Sequence, residues 1–189
     1  MDRGTERKIN VKKTRFIVYA AVIAALYAVL TMALWEFSSL AIQVRLSEAL
    51  CILPLFTPAA IPGLFIGCAV ANILSGTWVD NVFGSLTTLA AAAVTAVIGK
   101  RFSLGRRQGL SRPRRWLAPL PAVVFNALVI PFVLYFGYGI TSMGSTTATV
   151  GVLALMALSV FVGQAIACYV VGIPLMLLLE RINDKRRLF

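Results

Sequence analysis

The chain has 189 residues, of which 59% are hydrophobic and 13% are charged, and its formal net charge is +11. A soluble domain is about 45–50% apolar and about 25% charged, so this composition indicates a membrane protein. The sequence has no histidine, which excludes histidine-based triads and removes the usual ligand of catalytic zinc; we expect neither a cofactor nor a metal. The three cysteines lie in apolar runs without C-x-x-C spacing, which is typical of small buried residues.

The first half of the chain predicts four membrane-spanning helices. Residues 16–34 are uncharged and long enough to cross a bilayer, and no A-x-A cleavage pattern follows, so we predict a transmembrane helix and not a cleaved signal. The uncharged stretch 49–75 is interrupted by prolines at 58 and 62. This break predicts a short second helix, a tight reversal and a third helix over 63–75. A fourth helix is predicted over 82–99.

The second half predicts two further spans, over 117–138 and 150–179, after one hydrophilic loop at 100–116. We therefore predict an all-α integral membrane protein. Its single six-helix membrane domain covers 16–180, between a basic N-terminal segment (1–15) and a basic tail (181–189).

The distribution of basic residues predicts the orientation in the membrane. With six spans, the N-terminal segment, the central loop and the tail share one face, which holds 17 of the 18 Lys and Arg residues. The positive-inside rule makes this face cytoplasmic, so both termini are expected in the cytoplasm. We interpret the basic loop as a topology determinant that also contacts anionic lipid headgroups. No aromatic residues alternate with its basic residues, so no nucleic-acid partner is expected.

Four charged residues belong to the outer half, where topology does not explain them: Glu36, Arg45, Glu48 and Asp80. Charged groups at membrane depth are candidates for a binding site. Their sum of −2 favours a neutral or cationic small molecule over an anion. Two alternatives stay open: Arg45 and Glu48, spaced i and i+3, are also suited to an ion pair on one helix. Asp80 is also suited to capping the fourth helix.

Side-chain amides and aromatic rings belong to the same half. The amides are Gln43, Asn72, Asn81, Asn126 and Gln164, and the rings are Trp35, Trp78, Tyr135 and Tyr138. A single buried amide usually bridges two helices, but several amides and carboxylates together predict a small-molecule site. Carboxylates and amides would bind the edge of a planar, donor-rich heterocycle, and the rings could stack on its face.

Small residues form two ridges. Ala20, Ala24 and Ala28 recur every four residues, with Ala21 and Ala25 beside them, and Gly63 and Gly67 share the same spacing. Both patterns allow a close approach of another helix, either within the chain or from another subunit. The sequence contains no G-x-x-x-x-G-K-[ST] motif for a nucleotide, so powered transport would need partners.

Several sequence runs resemble the QueT family. They are 42–50 (IQVRLSEAL), 56–64 (FTPAAIPGL), 83–91 (FGSLTTLAA), 117–121 (LAPLP) followed by Asn126, and 172–175 (GIPL). The first two together are specific, and the resemblance covers nearly the whole chain.

The resemblance implies a substrate-binding S component of an energy-coupling factor (ECF) transporter, a multi-pass protein of the prokaryotic plasma membrane. It implies capture of 7-aminomethyl-7-deazaguanine, or a related queuosine precursor, from outside. It further implies docking, through the alanine ridge of helix one, onto a transmembrane coupling subunit that bears two ABC ATPases. Members often have an acidic residue after the glycine of helix six, where this chain has Gly163-Gln164.

For such a ligand, the placement and charge of the side chains lead us to expect Glu48 to bind the base edge and Asp80 the ammonium. Arg45 would orient Glu48, and Asn72, Asn81 and Asn126 would supply amide contacts. Gln43, Gln164 and Trp78 complete the expected site. Two other functions are retained: an S component for another vitamin or small amine, and an assembly protein that packs through small residues without a ligand. A membrane enzyme is disfavoured because the usual catalytic groups are missing.

Overall fold

The computed structural model describes residues 3–34, 45–75, 78–102, 112–137 and 146–186, and these are helical apart from short turns. The elements are α1 (Arg3–Ala33), a 3-10 helix (Leu46–Leu55), α2 (Ala60–Ser75), α3 (Trp78–Phe102), α4 (Arg112–Leu117), α5 (Leu120–Gly137), α6 (Thr146–Ala165), a π-helical segment (Ile166–Gly172) and α7 (Ile173–Arg186).

Each of the six predicted spans coincides with a helical segment, but the segments differ in length. Among the described residues, four are long and apolar enough to cross a membrane: Asn10–Ala33, Asn81–Gly99, Arg115–Val133 and Val150–Ile182. The other two, Leu46–Leu55 and Ala60–Leu74, are shorter. The part of the chain that the structure describes is thus all-helical, as predicted, with helices suited to a membrane. Six crossings and cytoplasmic termini stay predictions.

The distribution of side chains also suits a lipid environment. Large apolar side chains such as Ile17, Val29, Leu128 and Leu155 are exposed on the outside of the bundle. Many hydroxyl and amide side chains, together with one carboxylate, are instead buried inside it. A protein in lipid has this arrangement because the hydrocarbon favours apolar contacts and leaves polar groups to be satisfied internally.

Prolines account for most differences from the predicted helix limits. The reversal predicted at 57–62 is a turn that ends at Ala60, where α2 begins, because Pro62 fits the first turn of a helix, where its missing N–H is not needed. The fifth span was predicted as one helix, but α4 and α5 are separated by a bend at Ala118-Pro119. The sixth span changes to π-helical winding before Pro174, which cannot donate the hydrogen bond that a regular α-helix needs there.

The 3-10 helix occupies the interior of the bundle. It contacts α1, α2, α3, the π-helical segment and α7, and seven of its ten residues are buried. The regular helices pack in the order α1, α2, α3, α5 and α6. Irregular helical backbone is tolerated at membrane depth where protein surrounds it, so the fold places the least regular segments in contact with each other.

The α1–α2 contact depends on two glycines. A Cβ atom on Gly63 would lie 2.8 Å from the carbonyl oxygen of Ala20, and one on Gly67 would lie 2.7 Å from that of Ala24. Both distances are shorter than any side chain tolerates against backbone. The two glycines therefore pack against α1 of the same chain, which is the first of the two alternatives predicted for them.

At the end of the bundle where α3 finishes, polar side chains join α4 to the last helices. Arg115 Nη2 lies 2.9 Å from Glu180 Oε2 in an ion pair. The Trp116 and Tyr169 rings stack at 5.8 Å, and the Tyr169 hydroxyl donates to the Trp116 carbonyl at 2.9 Å. This is the end that the sequence assigns to the cytoplasm.

Candidate functional site

The buried carboxylate of Glu48 is the centre of the candidate site. Glu48 lies in the first turn of the 3-10 helix and is only 1% exposed. Its Oε1 accepts a hydrogen bond from the Tyr27 hydroxyl at 2.6 Å, and its Oε2 accepts one from Cys51 Sγ at 3.0 Å. A buried carboxylate is costly unless donors satisfy it, so α1 and the 3-10 helix stabilise Glu48 together.

A second polar contact, between two hydroxyl groups, holds the 3-10 helix against α1 one turn after Tyr27. The Thr31 hydroxyl lies 2.8 Å from Ser47 Oγ and also donates to the Tyr27 carbonyl at 2.8 Å. Tyr27 and Thr31 are spaced i and i+4, so they share one face of α1. This face therefore meets two successive residues of the 3-10 helix and determines where Glu48 lies.

The π-helical segment approaches Glu48 from the other side. Cys168 Sγ lies 3.6 Å from the Glu48 carbonyl oxygen and 3.9 Å from Gln164 Oε1. Gln164 is buried and lies two residues before the π-helical segment begins. π-Helical turns within α-helices are frequent at functional sites. The structure thus brings the predicted Gln164 to the same interior as Glu48, with Cys168 between them.

A third group of polar side chains lines the contact between α2 and α3. Asn72 Nδ2 and Thr88 Oγ1 each lie 3.5 Å from Cys68 Sγ. Cys68 belongs to the same buried cluster as Tyr27, Cys51 and Cys168. The predicted Asn72 is therefore buried in the interior that contains Glu48. All three cysteines are free and buried, as predicted, but each also has a polar neighbour.

Three buried side-chain atoms have no hydrogen-bond partner in the described part of the chain: Ser85 Oγ on α3, Arg115 Nε on α4 and Asn126 Nδ2 on α5. Arg115 belongs to the ion pair with Glu180 at the end of the bundle, whereas Ser85 and Asn126 lie inside it. Ser85 is 2% exposed and Asn126 is 3% exposed. An unpaired donor in the interior is costly, so each calls for an explanation in terms of a ligand or water.

The remaining predicted site residues lie at the rim or outside the described ranges. Arg45 flanks the 3-10 helix, where its carbonyl accepts the Glu48 N–H at 3.0 Å, and Asn81 is half-buried on α3. Asp80 was predicted to precede its helix, but α3 begins at Trp78, so Asp80 lies in the first helical turn. The side chains of Asp80 and Trp78 lie outside the described residues, as do the whole of Gln43, Trp35, Glu36 and Tyr138.

The alanine ridge of α1 is divided between inside and outside. Ala28 is buried, while Ala21 and Ala25 are exposed. Ala20 and Ala24 are partly exposed, with their carbonyl oxygens against the glycines of α2. The side that a partner could reach is therefore the one that contains Ala21 and Ala25, and docking of a partner there stays a prediction.

The sequence did not reveal the donors that surround the predicted residues. Single hydroxyls within apolar spans are common, so the sequence gives little reason to single out Tyr27, Thr31, Ser85 or Thr88. A weak signal existed, since Tyr27 and Thr31 share one helix face and Ser85 lies three residues before Thr88 on another. Only the packing of the 3-10 helix inside the bundle shows that these faces converge.

Comparison with known proteins identifies the family. The model of the family described as QueT transporter matches residues 17–181. The chain belongs to the QueT transporter family. A curated relative, the queuosine precursor transporter QueT of Lactococcus lactis subsp. cremoris (strain MG1363), is 41% identical over 92 residues, which is 48% of this chain and 54% of the relative. The match thus spans about half the length of that relative. No solved structure is significantly similar to this chain.

Proposed function

We propose that this QueT family member is the substrate-binding S component of an ECF-type uptake transporter and that it captures a queuosine precursor. The observation that supports the proposal most directly is the fully buried Glu48 with a donor on each oxygen, in a transporter family member. The name of the Lactococcus relative supports the ligand class, a deazapurine such as 7-aminomethyl-7-deazaguanine. We propose that the chain binds this ligand without transforming it.

Glu48 has the capacity to bind a ligand while it keeps its internal partners. A carboxylate has about four lone-pair positions, and Tyr27 and Cys51 use one on each oxygen. The remaining positions suit a ring N–H and an exocyclic amine, which a deazaguanine presents side by side. Tyr27 and Cys51 thus hold the carboxylate in one orientation before the ligand arrives, which reduces the ordering cost of binding.

The charges of the outer half support a cationic substituent on the ligand. Glu36, Glu48 and Asp80 outnumber Arg45, and we propose that Asp80 pairs with the aminomethyl group. We place Asn81, half-buried one residue farther along α3, and Trp78 at the same rim. We propose that the chain crosses a prokaryotic plasma membrane six times, with its termini and basic loop in the cytoplasm. In this orientation the site opens to the outside.

The energy source would come from partner proteins. We propose that a transmembrane coupling subunit with two ABC ATPases docks on the lipid-facing side of α1, where Ala21 and Ala25 are exposed. Small exposed residues allow another helix to approach closely in a membrane.

Titration of the purified full chain with 7-aminomethyl-7-deazaguanine tests the proposal, with Glu48→Gln as the variant. Hydrogen bonds to a charged group contribute about 1.5–3 kcal/mol, so we expect a Kd about 10- to 150-fold higher. Glu180→Gln is the matched control, because it removes the same charge at the other end of the bundle. Equal Kd values for wild type and Glu48→Gln would contradict the role of Glu48, and absence of binding to wild type would contradict the ligand.

A further inference from the structure

Ser85 and Asn126 lie at the same depth of the bundle. Thr95 Oγ1, near the end of α3, lies 3.5 Å from the Ala118 carbonyl, just before α5 begins, and the two helices pack along their length, so they run antiparallel. From that contact Ser85 is ten residues back along α3, about 15 Å. Asn126 is eight residues forward, across the two-residue bend and into the second turn of α5, which is about 12 Å. The two levels differ by less than one helical turn.

Both side chains belong to faces that are directed toward the interior. Ser85 and Gly99 are fourteen residues apart, which separates them by about 40° around the axis of α3. A Cβ atom on Gly99 would lie 3.1 Å from the Leu55 backbone, so this face of α3 meets the 3-10 helix. Asn126 lies between the buried Ala122 and Ile130, each four residues away on one face of α5.

Glu48 lies farther from the outer end of the bundle than Ser85 and Asn126. Glu48 is seven residues before Leu55 on the 3-10 helix, which is about 14 Å. From the same Leu55–Gly99 contact, Ser85 is about 21 Å along α3 and Asn126 is about 18 Å along the bundle. The unpaired donors are thus about one helical turn farther toward the outer end than Glu48.

We propose that Ser85 and Asn126 form a donor pair that binds an acceptor atom of the ligand, opposite the acceptor face of Glu48. Asn126 Nδ2 donates only, and the Ser85 hydroxyl is able to donate. The site then reads both edges of a planar heterocycle, with its N–H groups on Glu48 and its carbonyl oxygen on Ser85 and Asn126. It would favour a 6-oxo deazapurine over a 6-amino one, because the amino group offers these two donors no acceptor and the ring N1 of the 6-amino compound no longer donates to Glu48. This inference rests on the proposed function.

The test compares two probes on the purified full chain: 7-aminomethyl-7-deazaguanine, and its 6-amino analogue, whose N1 also carries no hydrogen for Glu48. The share of the preference that belongs to the donor pair is therefore the share that changes in the variants of that pair. We expect Ser85→Ala to raise the Kd for the 6-oxo probe about 3- to 10-fold. Asn126→Asp, which replaces the donor by an acceptor of the same shape, is expected to raise it more and to reduce the preference for the 6-oxo probe at least 10-fold. Thr95→Ala is the matched control, because it removes a hydroxyl from the same helix at its other end. Thermal unfolding of each variant checks folding.

The outcomes separate this inference from the function on which it rests. If wild type binds the 6-oxo probe and only Glu48→Gln weakens binding, the donor pair is wrong and the proposed function stands. If Ser85→Ala and Asn126→Asp change both Kd values equally, the pair binds structural water only, which also overturns the inference. If wild type binds neither probe, both proposals fail.

Discussion

Tyr27 shows how much one hydroxyl determines in this protein. It donates the shortest hydrogen bond to Glu48, from a position that is 1% exposed. The sequence identified Glu48 because a carboxylate within an apolar region is conspicuous. It did not identify Tyr27 because a tyrosine in an apolar span is ordinary, and its partner lies 21 positions farther along the chain.

Tyr27→Phe is therefore expected to lower stability and to weaken ligand binding together. The variant keeps the ring but leaves Glu48 Oε1 without its donor, which costs about 1–3 kcal/mol for a buried group. Thermal unfolding in detergent measures the first effect, and titration with 7-aminomethyl-7-deazaguanine measures the second. Tyr169→Phe is the control, since it removes a tyrosine hydroxyl whose partner is a backbone carbonyl at the end of the bundle and not the carboxylate of Glu48. A Tyr27→Phe protein as stable as wild type would contradict this account.

At the scale of elements, the 3-10 helix was the least predictable segment and has the greatest influence on the site. Apolar length and the prolines at 58 and 62 predicted a short second helix and a reversal, and both are observed. Hydropathy does not distinguish a lipid-facing helix from one surrounded by other helices, so its interior position could not be predicted. The π-helical winding before Pro174 and the bend at Pro119 were missed because each depends on tertiary contacts as well as on proline.

Gly67→Ala tests the close packing that positions α1 against the rest of the bundle. The added methyl would lie 2.7 Å from the Ala24 carbonyl oxygen, so α1 and α2 must separate. We expect a loss of about 1–3 kcal/mol in the free energy of unfolding, seen as a lower thermal midpoint. Gly151→Ala is the matched control, because a Cβ atom there meets nothing within 4 Å. An unchanged midpoint for Gly67→Ala would show that this contact is not as close as described.

For the whole molecule, the +11 charge and the polar interior have separate meanings. Basic residues concentrated on one predicted face predict the orientation, while the −2 of the outer half favours a neutral or cationic ligand in the proposed function. The sequence was sufficient for the family, the helical class and four of the buried residues of the candidate site, Glu48, Asn72, Asn126 and Gln164. It was not sufficient for the partners of those residues, because partners come from the packing of distant helices.

The orientation is tested by labelling single introduced cysteines in intact cells with a membrane-impermeant maleimide. Ser142→Cys, in the predicted outer connection between the fifth and sixth spans, is expected to react. Ser111→Cys, in the predicted cytoplasmic loop, is expected to react only after permeabilisation. The three native cysteines are buried, so they give little background. Labelling of Ser111→Cys in intact cells would contradict the predicted topology and indicate the opposite orientation.

Binding of a queuosine precursor, the function proposed for this protein, is tested by mass spectrometry of the ligand released from detergent-extracted protein. We expect a deazapurine that co-purifies with wild type and with Glu180→Gln and is depleted from Glu48→Gln. Release of a pterin, thiamine or an amino acid from wild type would contradict it.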